Sequence, residues 1–378
     1  MINILIDGNY IFHKTFGIFG GYGSKDPAEV LGPKGEQAMF IRKISTDLCS
    51  SLRLLPTGGR LIFTTDSRSW RKDVEIPDGG YKSNRVKDEN VDWSVFFDLM
   101  QAFGKHIEKM GFIYSKVEGA EGDDLLYFWA DHFNKNGENC IIISGDKDMH
   151  QLARWNSDSW TIVWNSNSKN NIVTVPEGWK EKWLFSNDEI SIFNMGESLS
   201  PDKDKLKELL NKSSTEEVNP RDFVFVKMLT GDKGDAVPSV WDFEQTPGKV
   251  SKLTPKKAEQ ILESLKISKW EKTTFSEMLS DPEFLSWISG FVLRLMKDVD
   301  SSENREKVTE NLLRNYTLMW LDSLVIPEWV RRNSSDEIKR GVALEKRTVS
   351  FDRIKILEGT EWISSGTAPK NFDPFANF

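Results

Sequence analysis

The chain has 378 residues, enough for an ordinary catalytic core plus a second domain or a large elaboration. With 38% hydrophobic and 29% charged residues, 14 Trp and 23 Phe, its composition is that of a soluble globular protein and excludes a disordered one; no apolar run approaches a membrane span, and the start MINILIDGNY lacks the basic region and cleavage site of a secretory leader. A net charge of −8 and a pI of about 5.3 speak against nucleic-acid binding, unless the acidic residues converge on bound cations and the local charge differs from the net.

Residues 2–6 (INILI) read as a buried strand ending at Asp7. Met39, Phe40, Ile44, Leu48, Leu52 and Leu55 recur at helical spacing over 36–55, stopped by Pro56. Cys49 lies in this stretch and Cys140 in a later apolar run. Neither has metal-ligand spacing, and both read as buried, reduced thiols of a cytosolic protein. RLIFTTDS (60–67) is a second strand, ending at Asp66, and SVFFDLMQAFGKHIEKMG (94–111) is an amphipathic helix closed by Gly111. FIYSKV (112–117) is a short strand followed by EGAEGDD, and DDLLYFWADHFNKNG (123–137) is a helix. CIIIS (140–144) is the next strand, followed by Asp146 and Asp148. Downstream, 159–175 reads as a hairpin and 197–220 as a polar surface insertion. FVFVKMLTGDKGDAVPSV (223–240) is an apolar helix entering a second acidic turn at Asp232 and Asp235, and 256–330 is helical. Residues 333–350 are charged, and SSGTAPKNFDPFANF reads as a flexible tail.

Strands alternating with helices predict an α/β fold: a mostly parallel sheet flanked by helices, with a C-terminal helical elaboration. The expected organisation is a catalytic core over 1–185, a helical region over 186–330, and a charged segment with a flexible tail over 331–378. Sites in such sheets form outside the carboxyl ends of the strands. Asp7, Asp66, Glu121, Asp123, Asp124, Asp146 and Asp148 can therefore share one sheet edge. Each alone has a plainer reading. An Asp after a strand makes turns or caps, and EGDD suits the first turn of a helix. Four acidic strand ends together point further. Carboxylates gathered at neutral pH need cations, and an all-oxygen set without His or Cys prefers Mg²⁺ or Mn²⁺. Two such ions, about 4 Å apart, would suit in-line attack on a phosphodiester.

The basic stretch RSWRKDVEIPDGGYKSNRVK (68–87) follows Asp66 directly. Arg68, Arg71, Lys72, Lys82, Arg85 and Lys87 could neutralise phosphates, and Trp70 and Tyr81 could stack on bases. The plainer alternative is a solvated, charged loop.

Asp7 in ILIDGN, Asp66 followed by RSWRK and YKSNR, EGDD, SGDKDMHQL and GDKGDAVPSV occur in the order of a known family. Over about residues 2–330 the chain resembles the 5′→3′ exonuclease and flap endonuclease family, most nearly its ribonuclease H branch from T-even-type phages. The resemblance implies a PIN-like sheet and a two-metal nuclease that removes RNA primers and 5′ flaps at lagging-strand nicks. It implies Asp7, Asp66, Asp123 and Asp146, with Glu121 beside them, around a first metal. It implies Asp148, Asp232 and Asp235, with Asp124 nearby, around a second. Lys82 and Arg85 match the basic residues that contact the scissile phosphate. Two departures stand out. Gly122 replaces the usual alanine of E-A-D-D, which loosens the helix start. The stretch after Pro238 lacks the G-x-G-I-G pattern that binds potassium and duplex phosphates, so Lys249, Lys252, Lys256 and Lys257 are the expected duplex contacts instead.

Other readings remain at this stage. A PIN-type ribonuclease on single-stranded RNA would share the carboxylates but need neither the 68–87 stretch nor the downstream helices. A metal-dependent phosphatase would need a D-x-D-x-T/V setting, which Asp7 does not offer. A non-catalytic DNA-binding scaffold would tolerate loss of a central carboxylate, and none is missing. The expected partners are branched or nicked duplex DNA and RNA–DNA hybrids. A sliding clamp or single-strand-binding protein is a further candidate, docked by Phe372, Phe375 and Phe378; the plainer reading is that these rings fold back onto the protein's own core. The expected state is a monomer in the host cytoplasm.

Overall fold

The structure, a computed structural model, describes residues 2–18, 34–52, 55, 59–76, 79–85, 89, 91–155, 159–165, 171–175, 213–246 and 249–344. The described residues of Met1–Arg68, Lys87–Val218 and Arg332–Phe378 form one compact unit, and those of Ser69–Val86 and Asn219–Arg331 form another. The expected boundaries near 185 and 330 divide the chain linearly. The compact units instead interleave, because the basic stretch after Asp66 belongs with the helices that follow residue 219.

The first unit is built on strands β1 (Ile2–Asp7), β2 (Leu61–Thr64), β3 (Ile113–Ser115), β4 (Asn139–Ile143), β5 (Arg154–Trp155), β6 (Trp160–Asn165), β7 (Asn171–Thr174) and β8 (Ser214–Glu217). Among the described residues they form one sheet in the order β3-β2-β1-β4-β6-β7-β8, with β5 paired to β6. The β1–β2, β1–β4, β2–β3, β4–β6 and β7–β8 pairs are parallel, and β6–β7 is the expected antiparallel hairpin. β1 is buried along its whole length, as a central parallel strand with both faces covered must be. This explains its unbroken apolar run. The chain leaves β1 toward β2 on one side and is met by β4 on the other, so the strand order reverses there. Such a reversal opens a crevice outside the carboxyl ends of the strands.

Helices α1 (Gly8–Ile18), α2 (Lys34–Leu52), α3 (Trp93–Lys109) and α4 (Gly122–Lys135) cover the sheet. α3 starts where Asp92 accepts the Ser94 N–H at 3.0 Å, and it buries Phe96, Leu99, Met100, Phe103 and Ile107 at helical spacing. Phe12 of α1 meets Phe40, Phe96 and Phe103 edge-on, with ring centroids 5.6–5.9 Å apart. Each such buried ring contributes about 1.5–3 kcal/mol of transfer free energy. This cluster fixes α1, and α1 carries the residues that follow Asp7. Gly8 permits the close approach: a Cβ there would lie 2.5 Å from both the Phe63 ring and the Thr64 carbonyl. Cys49 and Cys140 are buried free thiols, as expected.

Three elements differ from the sequence reading. α1 begins immediately after β1, capped by Asp7, whose Oδ1 accepts the Tyr10 N–H, where the sequence reading had only the end of a strand. Ser214–Glu217, read as insertion surface, pairs with β7 as a parallel strand; most of the insertion lies outside the described residues. The charged stretch after 331 continues α10 (Glu328–Ala343). Its end is held by the Arg60 guanidinium, which donates to the carbonyls of Gly341 at 3.1 Å and Val342 at 2.9 Å. Arg340 pairs with Glu108 at 2.8 Å. The tail beyond 344, with its three phenylalanines, lies outside the described residues.

The second unit packs α5 (Pro220–Thr230), α6 (Pro255–Lys266), α7 (Phe275–Ser280), α8 (Pro282–Met296) and α9 (Ser302–Met319) around Phe225, Ile261, Phe275, Ile288, Val292 and Leu312. The stretch after Pro238 forms a hairpin, β9 (Asp242–Thr246) with β10 (Lys249–Lys252), leading into α6.

Candidate metal centre

In the first unit the crevice at β1 and β4 gathers carboxylates from four strand ends. Asp7, 5% exposed, closes β1. Its Oδ1 accepts the Tyr10 N–H at 2.9 Å, and its Oδ2 accepts the Ser144 hydroxyl at 2.7 Å. Ser144 follows β4, and its Oγ also accepts the Asp146 N–H at 3.0 Å. One buried hydroxyl thus ties the Asp7 side chain to the Asp146 backbone. Asp146 caps the turn Lys147–Leu152, its Oδ1 accepting the Asp148 N–H at 2.9 Å. Tyr10 closes over the Ser144–Asp146 turn, and any Cβ on Gly145 would fall 2.3 Å from its ring. Asp66 follows β2; Asn9 accepts its N–H at 3.3 Å, and its Oδ1 accepts the Gly122 N–H at 2.6 Å.

Gly122 therefore does more than loosen the helix. A Cβ there would sit 3.2 Å from Asp66 Oδ1, tighter than ordinary contact, so glycine lets the carboxylate reach the first N–H groups of α4. Glu121 precedes that helix and Asp123 lies in its first turn. Asp124 is fully buried, and its Oδ2 accepts the Glu121 N–H at 3.0 Å in a capping box. Expected beside the second metal, Asp124 here holds the helix start.

The electrostatics separate this group from ordinary caps. Burial, with the charges of Asp146 and Asp66 added, pushes the Asp7 carboxyl from 3.8 up to about 7, against two stabilising hydrogen bonds. Burial, then Asp7, Asp146, Asp66 and Glu121, push Asp123 well above the carboxylate range, all in the same direction. Five carboxylates thus act on one another within one crevice. The donor set is all oxygen and its charge repels itself, so it fits a hard divalent cation such as Mg²⁺ or Mn²⁺.

The second unit treats its acidic residues differently. α5 ends at Gly231, whose φ of +73° and contact with the Val237 carbonyl, 2.4 Å from where a Cβ would stand, require glycine. The chain then turns back on itself, Asp232 and Val237 exchanging backbone hydrogen bonds at 2.8 Å. Asp232 pairs with Lys227 at 2.7 Å and accepts the Gly234 N–H at 2.7 Å. Burial works against its charge, but Lys227 and these N–H groups outweigh it and hold the carboxyl below the usual range. Asp235 Oδ2 accepts the Tyr81 hydroxyl at 3.0 Å, and its Oδ1 forms an ion pair with Arg85. The Lys82 N–H donates to the Asp235 carbonyl at 2.8 Å, and Asn84 donates to the Lys233 carbonyl at 2.5 Å. The basic stretch is thereby laid along the acidic turn of its own unit. Asp148 belongs to the first unit, whereas Asp232 and Asp235 belong to the second.

Three residues expected to touch DNA, Trp70, Arg71 and Tyr81, are buried. Arg71 is 2% exposed, donating Nε to the Leu318 carbonyl at 2.8 Å and lying over the Trp70 ring, so it anchors the stretch to the end of α9. Tyr81 is buried with Val237 and Leu318, with its hydroxyl on Asp235. Burial leaves Arg71 no face for a phosphate and Trp70 and Tyr81 no face for a base. Arg68, Lys72 and Lys256 are exposed, Lys257 is half-buried against Met296, and Lys87 lies outside the described residues. Sequence reasoning passed over Ser144, Tyr10 and Asn9. Ser144 stands inside the SGDKD motif, so its position was visible though its partner was not.

Residues 3–184 match the family model of the 5′-3′ exonuclease, N-terminal resolvase-like domain. The chain is similar to the 5′-3′ exonuclease of Buchnera aphidicola subsp. Schizaphis graminum, 27% identical over 183 residues, which cover 48% of this chain and 56% of that protein. It is likewise similar to the 5′-3′ exonuclease of Mycoplasma genitalium, 26% identical over 189 residues, covering 49% of this chain and 56% of the relative. The chain thus spans about half the length of the curated relatives it matches. Among solved structures, the bacteriophage T5 D15 protein crystallised with metal ions aligns with a TM-score of 0.50 at 13% identity, over 90% of this chain and 98% of that one, a likeness of fold. From the ordered motifs, the sheet that carries them and these matches, residues 3–184 are identified with the 5′-3′ exonuclease N-terminal, resolvase-like domain.

Proposed function

We propose that this protein is a divalent-metal-dependent 5′→3′ nuclease that hydrolyses phosphodiesters of RNA primers and 5′ DNA flaps during lagging-strand replication or repair. Its substrates are branched or nicked duplex DNA and RNA–DNA hybrids. The observation that carries this reading is the self-repelling set Asp7, Asp66, Glu121, Asp123 and Asp146 at the sheet crevice. When bound there, Mg²⁺, or Mn²⁺ in its place, supplies activated water at neutral pH and neutralises charge on the phosphodiester. The chain's own contribution is preorganisation. The Tyr10 N–H and Ser144 hydroxyl fix both oxygens of Asp7, and the Gly122 N–H fixes Asp66, so the ligands need not reorient as charge develops.

The count of two ions rests on the family resemblance, which takes Asp148, Asp232 and Asp235 as further ligands. On the same basis Lys82 and Arg85 act on the scissile phosphate; by their charge, Arg68, Lys72 and Lys87, and Lys256 and Lys257 in place of the missing G-x-G-I-G pattern, act on backbone phosphates. In keeping with that reading, the protein works as a monomer in the host cytoplasm, and the 371–378 tail docks on a sliding clamp or single-strand-binding protein.

Digestion of end-labelled nicked, flapped and RNA-primed duplexes tests the proposal. Cleavage from the 5′ side that needs Mg²⁺ or Mn²⁺ is expected, and product lengths distinguish exonuclease from flap cutting. Full cleavage in excess EDTA, or preference for single-stranded RNA over every duplex, overturns it.

A further inference from the structure

We propose that Arg85 and a divalent cation compete for the Asp235 carboxylate, so that loading the ion releases the Arg85 side chain from the acidic turn. This rests on the reading of Asp235 as a metal ligand given above. Within the second unit both carboxylates of the turn already hold cations of the chain itself: Lys227 on Asp232 at 2.7 Å, and Arg85 on Asp235. Both Asp235 oxygens already accept hydrogen bonds, Oδ1 from Arg85 and Oδ2 from the Tyr81 hydroxyl, and a divalent cation placed on that carboxylate repels the guanidinium beside it. Binding an ion at Asp235 therefore works against the Arg85 pair.

The contacts make that exchange feasible. The Arg85 side chain is 57% exposed, so its ion pair is weak and its release needs no repacking. The other ties of the segment run to main-chain atoms of the turn, Lys82 N–H to the Asp235 carbonyl, Asn84 to the Lys233 carbonyl at 2.5 Å and Arg85 Nε to the Gly234 carbonyl at 3.4 Å, except that the Tyr81 hydroxyl donates to Asp235 Oδ2 at 3.0 Å. Lys82 holds a left-handed backbone, φ +59°, that an L-residue adopts only under constraint. Loss of the Arg85 pair removes one constraint on that conformation. The anchors on the far side of the segment, Arg71 on the Leu318 carbonyl and Tyr81 packed on Val237, remain. The released guanidinium then becomes available to a phosphate, which it can grip with the same fork of N–H groups. Ion and substrate would thus be bound in sequence through one arginine.

Mn²⁺ binding to the metal-free full chain, followed by electron paramagnetic resonance, tests this without reference to cleavage. Asp235→Asn identifies the Mn²⁺ population concerned. In Arg85→Ala that population is expected to bind about two- to fivefold more tightly, the competing half-exposed ion pair being gone. Lys233→Ala removes the same charge from the same turn without touching the Asp235 carboxylate, and it should change affinity less. Arg85→Gln serves as a second variant that keeps the side-chain bulk. A trypsin time course on the wild type should show faster cutting after Arg85 once Mn²⁺ is added. Unchanged or weaker binding in both Arg85 variants overturns the proposal, as does an equal effect of Lys233→Ala, which would mean general charge and not exchange. If Mn²⁺ binds but Asp235→Asn removes none of it, the exchange is overturned while the first-unit centre stands. If no Mn²⁺ binds the chain at all, the proposed function fails with it.

Discussion

The carboxylates of the sheet crevice and those of the 232–237 turn have the same chemistry and opposite surroundings. In the crevice, Asp7 is buried and Asp123 half-buried beside other acids, and their carboxyls are driven upward. On the turn, Asp232 has Lys227 and its carboxyl is driven downward, while Asp235 has Arg85 and the Tyr81 hydroxyl. An acidic motif by itself therefore does not say whether it awaits a cation. What decides is whether the fold already brings one. The crevice repels itself and is built to be completed from outside. The turn is already neutralised by cations of its own unit, so an ion that binds there must compete with them.

Changes in the crevice should have the largest effects. Asp146→Asn is expected to lower flap cleavage by more than about a hundredfold, because a ligand is lost, while DNA affinity stays equal or rises as negative charge is removed. Single-turnover rates set beside filter binding check both halves. Ser144→Ala deletes the hydroxyl between Asp7 and Asp146 and should weaken Mn²⁺ binding about 10- to 100-fold, with little effect on melting temperature. Gly122→Ala is a finer probe. Its Cβ would push Asp66 by a few tenths of an ångström, which should slow cleavage roughly three- to tenfold with the fold intact. On the turn the comparison predicts a small effect on stability. Asp235→Asn breaks the Arg85 pair and should cost about 1 kcal/mol or less in denaturant unfolding, since the arginine is half-exposed. A large loss of stability there would mean the turn is a structural hub, and the contrast with the crevice would fail.

Much of the crevice was legible in the sequence because each carboxylate stands at a strand end, and the strands announce themselves as apolar runs. The order of strands and helices was enough to predict a parallel sheet, and a parallel sheet places its carboxyl ends together. What the sequence did not reveal were partners far apart in the chain. The Ser144 hydroxyl meets Asp7 across 137 positions, and Arg85 meets Asp235 across 150. Arg71 and Tyr81 looked like DNA contacts because basic and aromatic residues alternate there. Their burial depends on α9 and on Val237, more than 150 residues later, and no local pattern encodes it. The charged stretch of α10 was likewise unreadable without Arg60, its distant cap.

The central claim is that burial and neighbouring acids favour a proton on Asp7 and Asp123, which a divalent cation must displace. In the folded protein Asp7 is raised from 3.8 to about 7, so the stability linked to it is fully present below about 3.8 and lost as pH rises through about 7. Calorimetric titration of Mn²⁺ into the metal-free chain, repeated in buffers of different ionisation enthalpy, reads the protons directly. Binding at about pH 6 should release protons, the release should fall away by about pH 8.5, and Asp7→Asn should diminish it. Mn²⁺ binding at about pH 6 with no proton released would contradict the account.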